Sequence, residues 1–183
     1  MSNGTNNHSP SYGFKTPMDL LLKLEREIEQ FSAPPLPDEI FNSMVTAHCL
    51  RDWTKTHYKN KPSVDLLEIA EEVRLPPNCV SWISDLEAAD LGQGTPEEQI
   101  AICLSDCLNL ARAIANASKH YYWHKDVQSV SQDPSITDAY QYFFTSTRPD
   151  VYVTIEGRHY GVTQIASIVA QFYRGYLSVL SNE

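Results

Sequence analysis

His120 closes the pentapeptide Asn116-Ala117-Ser118-Lys119-His120, and Tyr121, Tyr122, Trp123 and His124 follow it directly. An imidazole moves protons near neutral pH. A lysine or arginine beside it can stabilise an anionic phosphorane, the species formed when an RNA 2′-hydroxyl attacks its own phosphodiester. Aromatic rings at the same place suit stacking of unpaired bases. The same residues also have a purely structural reading. Lys119 and His120 at a helix C-terminus meet the negative end of the helix dipole. A second pair, His48 and Asp52, stands four residues apart on the face begun by Phe41, Met44 and Val45. Buried polar groups need partners, so these two satisfy each other in a core or support a site.

Two helices must position these groups. The longer one is signalled by Thr95 to His120. Thr95 is an N-cap, Pro96 suits the first turn, and Glu98 completes a capping box. Ile100, Cys103, Leu104, Cys107, Leu108, Ala111, Ile114 and Ala115 recur at three- and four-residue steps and define an apolar stripe. Asn109, Arg112, Asn116 and His120 recur at similar steps nearly opposite it, flanked by Ala113 and Ala117. That polar stripe is either a solvated face or a site carried on a rigid element.

The 183 residues suffice for one domain with a real core, and 42% hydrophobic content fits a globular chain. Residues 1–15 read as a flexible, polar tail and 16–183 as a single domain. A net charge of −9 disfavours tight binding to duplex DNA. A local RNA site needs only a few cations, and no run of Lys or Arg exceeds the loose cluster around Lys55, Lys59 and Lys61. The cysteines at 49, 79, 103 and 107 show no CxxC spacing and read as small core residues. Neither a metal nor a cofactor is expected. The N-terminus lacks a secretory leader pattern and no apolar run approaches a membrane span, which points to the cytoplasm and away from membranes. Walker, GxGxxG, GxSxG and HExxH motifs are absent from the sequence.

The remaining elements follow from spacing. Thr16-Pro17 caps a first helix with Leu20, Leu21, Leu24, Ile28 and Phe31 inside. SAPPLP interrupts it, and a second helix begins near Pro37 with Phe41, Met44, Val45 and His48 as its stripe. A short third helix, capped by Ser63, carries Leu66, Leu67, Ala70 and Val73. One turn is expected around Trp82 to Leu86. AYQYFFTS (139–146), VYVTI (151–155) and RHYGV have strand composition, with Glu156-Gly157 as a turn. A final helix over roughly 163–180 carries a strong stripe of Ile165, Ile168, Val169, Phe172, Tyr173, Tyr176, Leu177 and Leu180. The expected fold is mainly α: a helical bundle with a small antiparallel β-hairpin before the C-terminal helix.

The pairing of TAHCLRDW (46–53) with NASKH (116–120) resembles small uncharacterised bacterial proteins that carry TAxHxxDW and NxxKH patterns. Thr46, Ala47, Asp52, Trp53, Asn116, Lys119 and His120 match, and His48 falls one place early. These proteins in turn resemble the HEPN (higher eukaryotes and prokaryotes nucleotide-binding) superfamily. The resemblance implies an all-helical, usually dimeric protein. It also implies either a metal-independent endoribonuclease of antiviral defence or a toxin–antitoxin system, or a non-catalytic protein–protein interaction module. Ribonuclease members carry an arginine, four to six residues, then a histidine. Arg51 to His57 has that spacing, on the second helix. Arg112 to His120 has seven residues between, on the later one. Under the ribonuclease reading His120 exchanges protons, Lys119 or Arg112 stabilises phosphate, and Asn116 orients them. His48 and Asp52 support the site, and RNA and a second copy or a partner protein are the implied partners.

Overall fold

The computed structural model describes residues 13–33, 35–83, 94–120, 129–130, 151–155 and 158–183. The expected strand at 139–146, the 156–157 turn and most of the N-terminal tail lie outside them. Within them the chain is mainly helical, with a small antiparallel β-hairpin ahead of the C-terminal helix, as the sequence predicts.

Helix α1 spans Pro17–Glu29. Its start is fixed by reciprocal bonds: the Asp19 amide donates to Thr16 Oγ1, and Asp19 Oδ2 accepts from the Lys15 and Thr16 amides at 2.8 Å each. These donors hold the Asp19 carboxyl below its ordinary value. Leu20, Leu21 and Leu24 form the buried face.

Helix α2, Pro37–His57, begins without a hydroxyl cap. Glu39 replaces it, accepting from the Leu36 amide at 2.7 Å and from the Ser32 amide and hydroxyl at 3.0 and 2.8 Å. Of the expected stripe Met44 is buried, whereas Val45 and His48 are only partly so. Ile40, Ser43, Met44, Ala47, Leu50 and Thr54 turn inward, and Phe41 is exposed. The stripe Phe41, Val45, His48 and Asp52 lies roughly 140° around the helix from the buried one, at about 100° per residue. Hydroxyl side chains disguise the true face. Ser43, Thr46 and Thr54 donate to carbonyls three or four residues back, at 2.7–2.9 Å, and so enter the interior with their hydroxyl protons satisfied within the helix; Thr46 Oγ1 also accepts from Lys23 of α1 at 2.5 Å.

A 3-10 turn at Pro62–Asp65 leads into α3, Leu66–Glu71. Leu67 and Ala70 are buried as expected, but Val73 is half exposed. Its φ is +56°, and the Arg74 amide donates to the Ile69 carbonyl at 3.1 Å, which closes the helix in a left-handed cap. A β-branched residue is strained in that conformation. Val73→Gly is therefore expected to raise stability by about 1 kcal/mol in urea denaturation. A second 3-10 turn spans Cys79–Trp82; most of the turn expected at Trp82 to Leu86 lies outside the described residues.

Helix α4 spans Pro96–His120. Its capping box is present: the Thr95 amide donates to Glu98 Oε2 at 2.8 Å, and the Glu98 amide to Thr95 Oγ1 at 3.2 Å. Strands β1 (Ser129–Val130), β2 (Tyr152–Ile155) and β3 (Arg158–Gly161) form an antiparallel sheet in that order. Val153 opposes Tyr160, and both are buried. β1 occupies a segment whose polar composition gave no strand signal; its register with β2 pairs Ser129 with Thr154.

Helix α5, Val162–Asn182, buries Ile165, Ile168, Val169, Phe172, Tyr173, Tyr176, Leu177 and Leu180, all eight positions of the expected stripe. α1 and α4 each pack on both α2 and α5, and α3 packs on α4. Outer pairs add ties: Arg174 with Glu25 joins α5 to α1, and Lys55 with Glu68 joins α2 to α3 at 2.9 Å.

Candidate functional site

The middle of α4 is buried on nearly all sides. Cys103, Leu104, Cys107, Leu110, Ala111, Ile114 and Ala115 join the core, and so do the polar residues Ser105 and Asp106. Asp106 interrupts the apolar run because β3 supplies its partners. Arg158 Nε donates to Oδ2 at 2.7 Å and its terminal nitrogen to Oδ1 at 3.2 Å. The Tyr160 hydroxyl also donates to Oδ2, at 2.6 Å. A two-pronged guanidinium and a phenol satisfy one carboxylate, which is what a buried charge requires. This group ties the sheet to the bundle.

Glu71, the last residue of α3, is a second junction. Its carboxylate receives Arg51 from α2, Nε at 2.5 Å and a terminal nitrogen at 2.8 Å. Its backbone carbonyl, one of the terminal acceptors a helix leaves open, receives the Ser105 hydroxyl of α4 at 2.9 Å. The Asn109 amide nitrogen lies 3.5 Å from the same carbonyl and 3.3 Å from Ser105 Oγ. Asn109 Oδ1 then accepts from Arg112 at 2.9 Å. A continuous polar chain thus runs from Arg51 on α2 through Glu71 to Arg112 on α4.

The sequence-predicted residues fall as follows. Arg112 is exposed, and Asn116, one turn on, is partly buried. The side chains of Lys119 and His120, and the aromatic segment after them, lie outside the described residues. His48 is partly buried on α2, whereas Asp52 is exposed and sits 3.5 Å from its neighbour Arg51. His57 is exposed, with its ring edge-on to Tyr58 at 4.8 Å. α2 and α4 pack directly, so the segments holding the two groups of candidates belong to adjoining helices.

Sequence reading passed over Asp106, Arg158, Tyr160 and Glu71. The available signal was a lone carboxylate amid Cys103, Leu104, Cys107 and Leu108. Its partner arginine stands 52 residues away, where no local pattern reaches.

Among the described residues, no group of three or more His, Cys, Asp or Glu is arranged to hold a metal ion. Among them also, no helix is long and apolar enough to cross a membrane. All four cysteines are free thiols.

Burial shifts several acids the same way. It pushes the Cys79 thiol up to about 12 and the Cys107 thiol well above its ordinary value. Burial is also the first cause of the raised values of Tyr160, Tyr173 and Tyr176, with Asp106 adding to that of Tyr160. A raised folded-state value means that the unfolded chain loses its proton first as pH climbs. The stability from these groups is complete below the unfolded values, near 9 for cysteine and 10 for tyrosine, and is lost above them. Each group contributes a slope of up to about 1.4 kcal/mol per pH unit. Urea titrations between pH 8 and 11 are expected to show stability falling from pH 9 and more steeply beyond 10. Cys79→Ala is expected to soften the first part of that fall.

No family model, no curated protein and no solved structure matches the chain.

Proposed function

We propose that the chain is a HEPN-like helical protein of a bacterium or its phage that cleaves RNA without a metal, in antiviral defence or a toxin–antitoxin system. The observation that supports this most is the direct packing of α2 on α4, the helices that carry TAHCLRDW and NASKH. With it goes the exposed Arg112 guanidinium on the polar side of α4.

In this reading His120 takes the 2′-hydroxyl proton or returns one to the leaving oxygen. Arg112 or Lys119 stabilises the charge that builds on the phosphorane oxygens. Asn116 orients them, and His48 and Asp52 stand behind. Arg112 and His120 are eight residues apart, about 12 Å along a helix axis, so one copy brackets a phosphate poorly. A second copy across a dimer completes the pair. The partly exposed α2 stripe of Phe41, Val45, His48 and Asp52 suits such a contact.

The non-catalytic reading, an interaction module of a defence or regulatory complex, is favoured by one specific observation. Arg51 heads the Arg–His pair that has the ribonuclease spacing, and its guanidinium is engaged on both prongs by Glu71. That arginine holds helices together, which leaves it poorly placed to meet phosphate.

Induced expression in a bacterial host separates the two. Wild type is expected to arrest growth and fragment cellular RNA, and His120→Ala to do neither. Equal growth and intact RNA in both strains would favour the interaction module.

A further inference from the structure

We propose that Asn109 is a positioning residue that holds Arg112 as an anchor for a phosphate-bearing anion. The inference rests on the RNA reading for the identity of that anion, but its geometry stands apart from it.

The amide of Asn109 is oriented by its surroundings. Ser105 spends its hydroxyl proton on the Glu71 carbonyl, at 2.9 Å, so its remaining lone pairs face the amide. Both groups near the Asn109 nitrogen, Ser105 Oγ at 3.3 Å and the Glu71 carbonyl at 3.5 Å, are acceptors. The NH2 end must therefore face inward and Oδ1 outward. Oδ1 meets Arg112 at 2.9 Å. Its inner supports are firm, since Ser105 is buried on α4 and the carbonyl belongs to the end of α3.

Arg112 is thus held by a neutral amide. Arg51, Arg74, Arg158 and Arg174 each face a carboxylate instead. A carboxylate would cancel the charge; an amide fixes one nitrogen and leaves the charge and the other N–H donors available. A guanidinium so prepared forms bidentate bonds to phosphate oxygens with less ordering on binding. Arg26 provides an internal comparison. It is exposed on α1 and has no hydrogen bond or ion pair among the described residues, so it shares the charge without the cradle.

The test follows the arginine Nε–H signals of full-length, isotope-labelled protein by NMR, with Arg112→Lys and Arg26→Lys giving the assignments. Inorganic phosphate is titrated in one arm and a short single-stranded RNA in the other. In wild type the Arg112 signal is expected to half-saturate at a phosphate concentration at least about fivefold lower than Arg26, roughly 1 kcal/mol of preorganisation. Asn109→Ala should erase that difference and broaden the Arg112 signal. Asn109→Asp should keep Arg112 ordered yet abolish its response, because an ion pair replaces the neutral cradle. Matching titrations of Arg112 and Arg26 in wild type would overturn the inference, without need of any variant. So would an undiminished response in Asn109→Ala. A response to phosphate with none to RNA would uphold the anchor and count against the RNA reading. RNA bound and cut while the Arg112 signal stays still would do the reverse.

Discussion

Asp106→Ala is expected to lower the free energy of unfolding by about 3 kcal/mol, the cost of leaving one side of a buried ion pair without its partner. Three bonds end on this carboxylate, two from Arg158 and one from the Tyr160 hydroxyl. Without it the guanidinium and the phenol lose the acceptor they share. Arg158 keeps a quarter of its side-chain surface in water, so partial rehydration holds the loss below that of a fully enclosed pair. The graded variants fix the cause. Tyr160→Phe removes one neutral donor and should cost about 1 kcal/mol. Asp106→Asn retains shape but not charge and should fall between. Denaturant unfolding of the three variants checks the order. A loss for Asp106→Ala no larger than that for Tyr160→Phe would show that the arginine contributes nothing and that the sheet is held by apolar contacts alone.

Gly175→Ala is expected to destabilise by about 2 kcal/mol, opposite in sign to the same change in an exposed helix. Glycine inside a helix ordinarily costs about 1 kcal/mol relative to alanine, so the substitution should help α5. Here the indole of Trp82 lies against the glycine. A Cβ at 175 would stand 2.8 Å from Trp82 Cβ and closer still to Cγ and Cδ2. Those atoms are the root of the side chain, so a small rotation cannot clear them. The 3-10 turn Cys79–Trp82 must lift from α5 and break the contact of Trp82 with Phe172, whose ring centroids are 6.1 Å apart. Overpacking of this kind costs about 1–3 kcal/mol beyond the regained propensity. Gly175→Ala together with Trp82→Ala should recover much of the loss, and a double-mutant cycle measures that coupling. Stabilisation by Gly175→Ala alone would mean that the tryptophan does not occupy the notch.

These predictions also mark where sequence reading works. The starts of α1 and α4 were legible because Thr16 with Asp19, and Thr95 with Glu98, are local devices within four residues. α5 was legible because its inward positions are apolar without exception. α2 was misread for a physical reason: Ser43, Thr46 and Thr54 bond to their own helix and pass as interior residues, while Phe41 remains outside. Val73 was misplaced because a left-handed cap turns it outward, and its residue type argues against such a cap. The candidate site was legible only in part. Arg112 and Asn116 stand out by type and spacing. The groups that orient Arg112 are a serine, an asparagine and a backbone carbonyl on another helix, and a carbonyl leaves no mark in a sequence. Asp106 and Arg158 meet only because the sheet folds back on α4.

The proposed chemistry is tested most directly by the ends it leaves on RNA. Purified protein is incubated with single-stranded RNA at neutral pH in excess EDTA, and the products are resolved and their termini identified. Attack by the 2′-hydroxyl predicts fragments bearing 2′,3′-cyclic phosphate, formed by wild type in the chelator and absent with His120→Ala. Intact RNA at protein concentrations where a known metal-independent ribonuclease acts, or cleavage unchanged by His120→Ala, would contradict it.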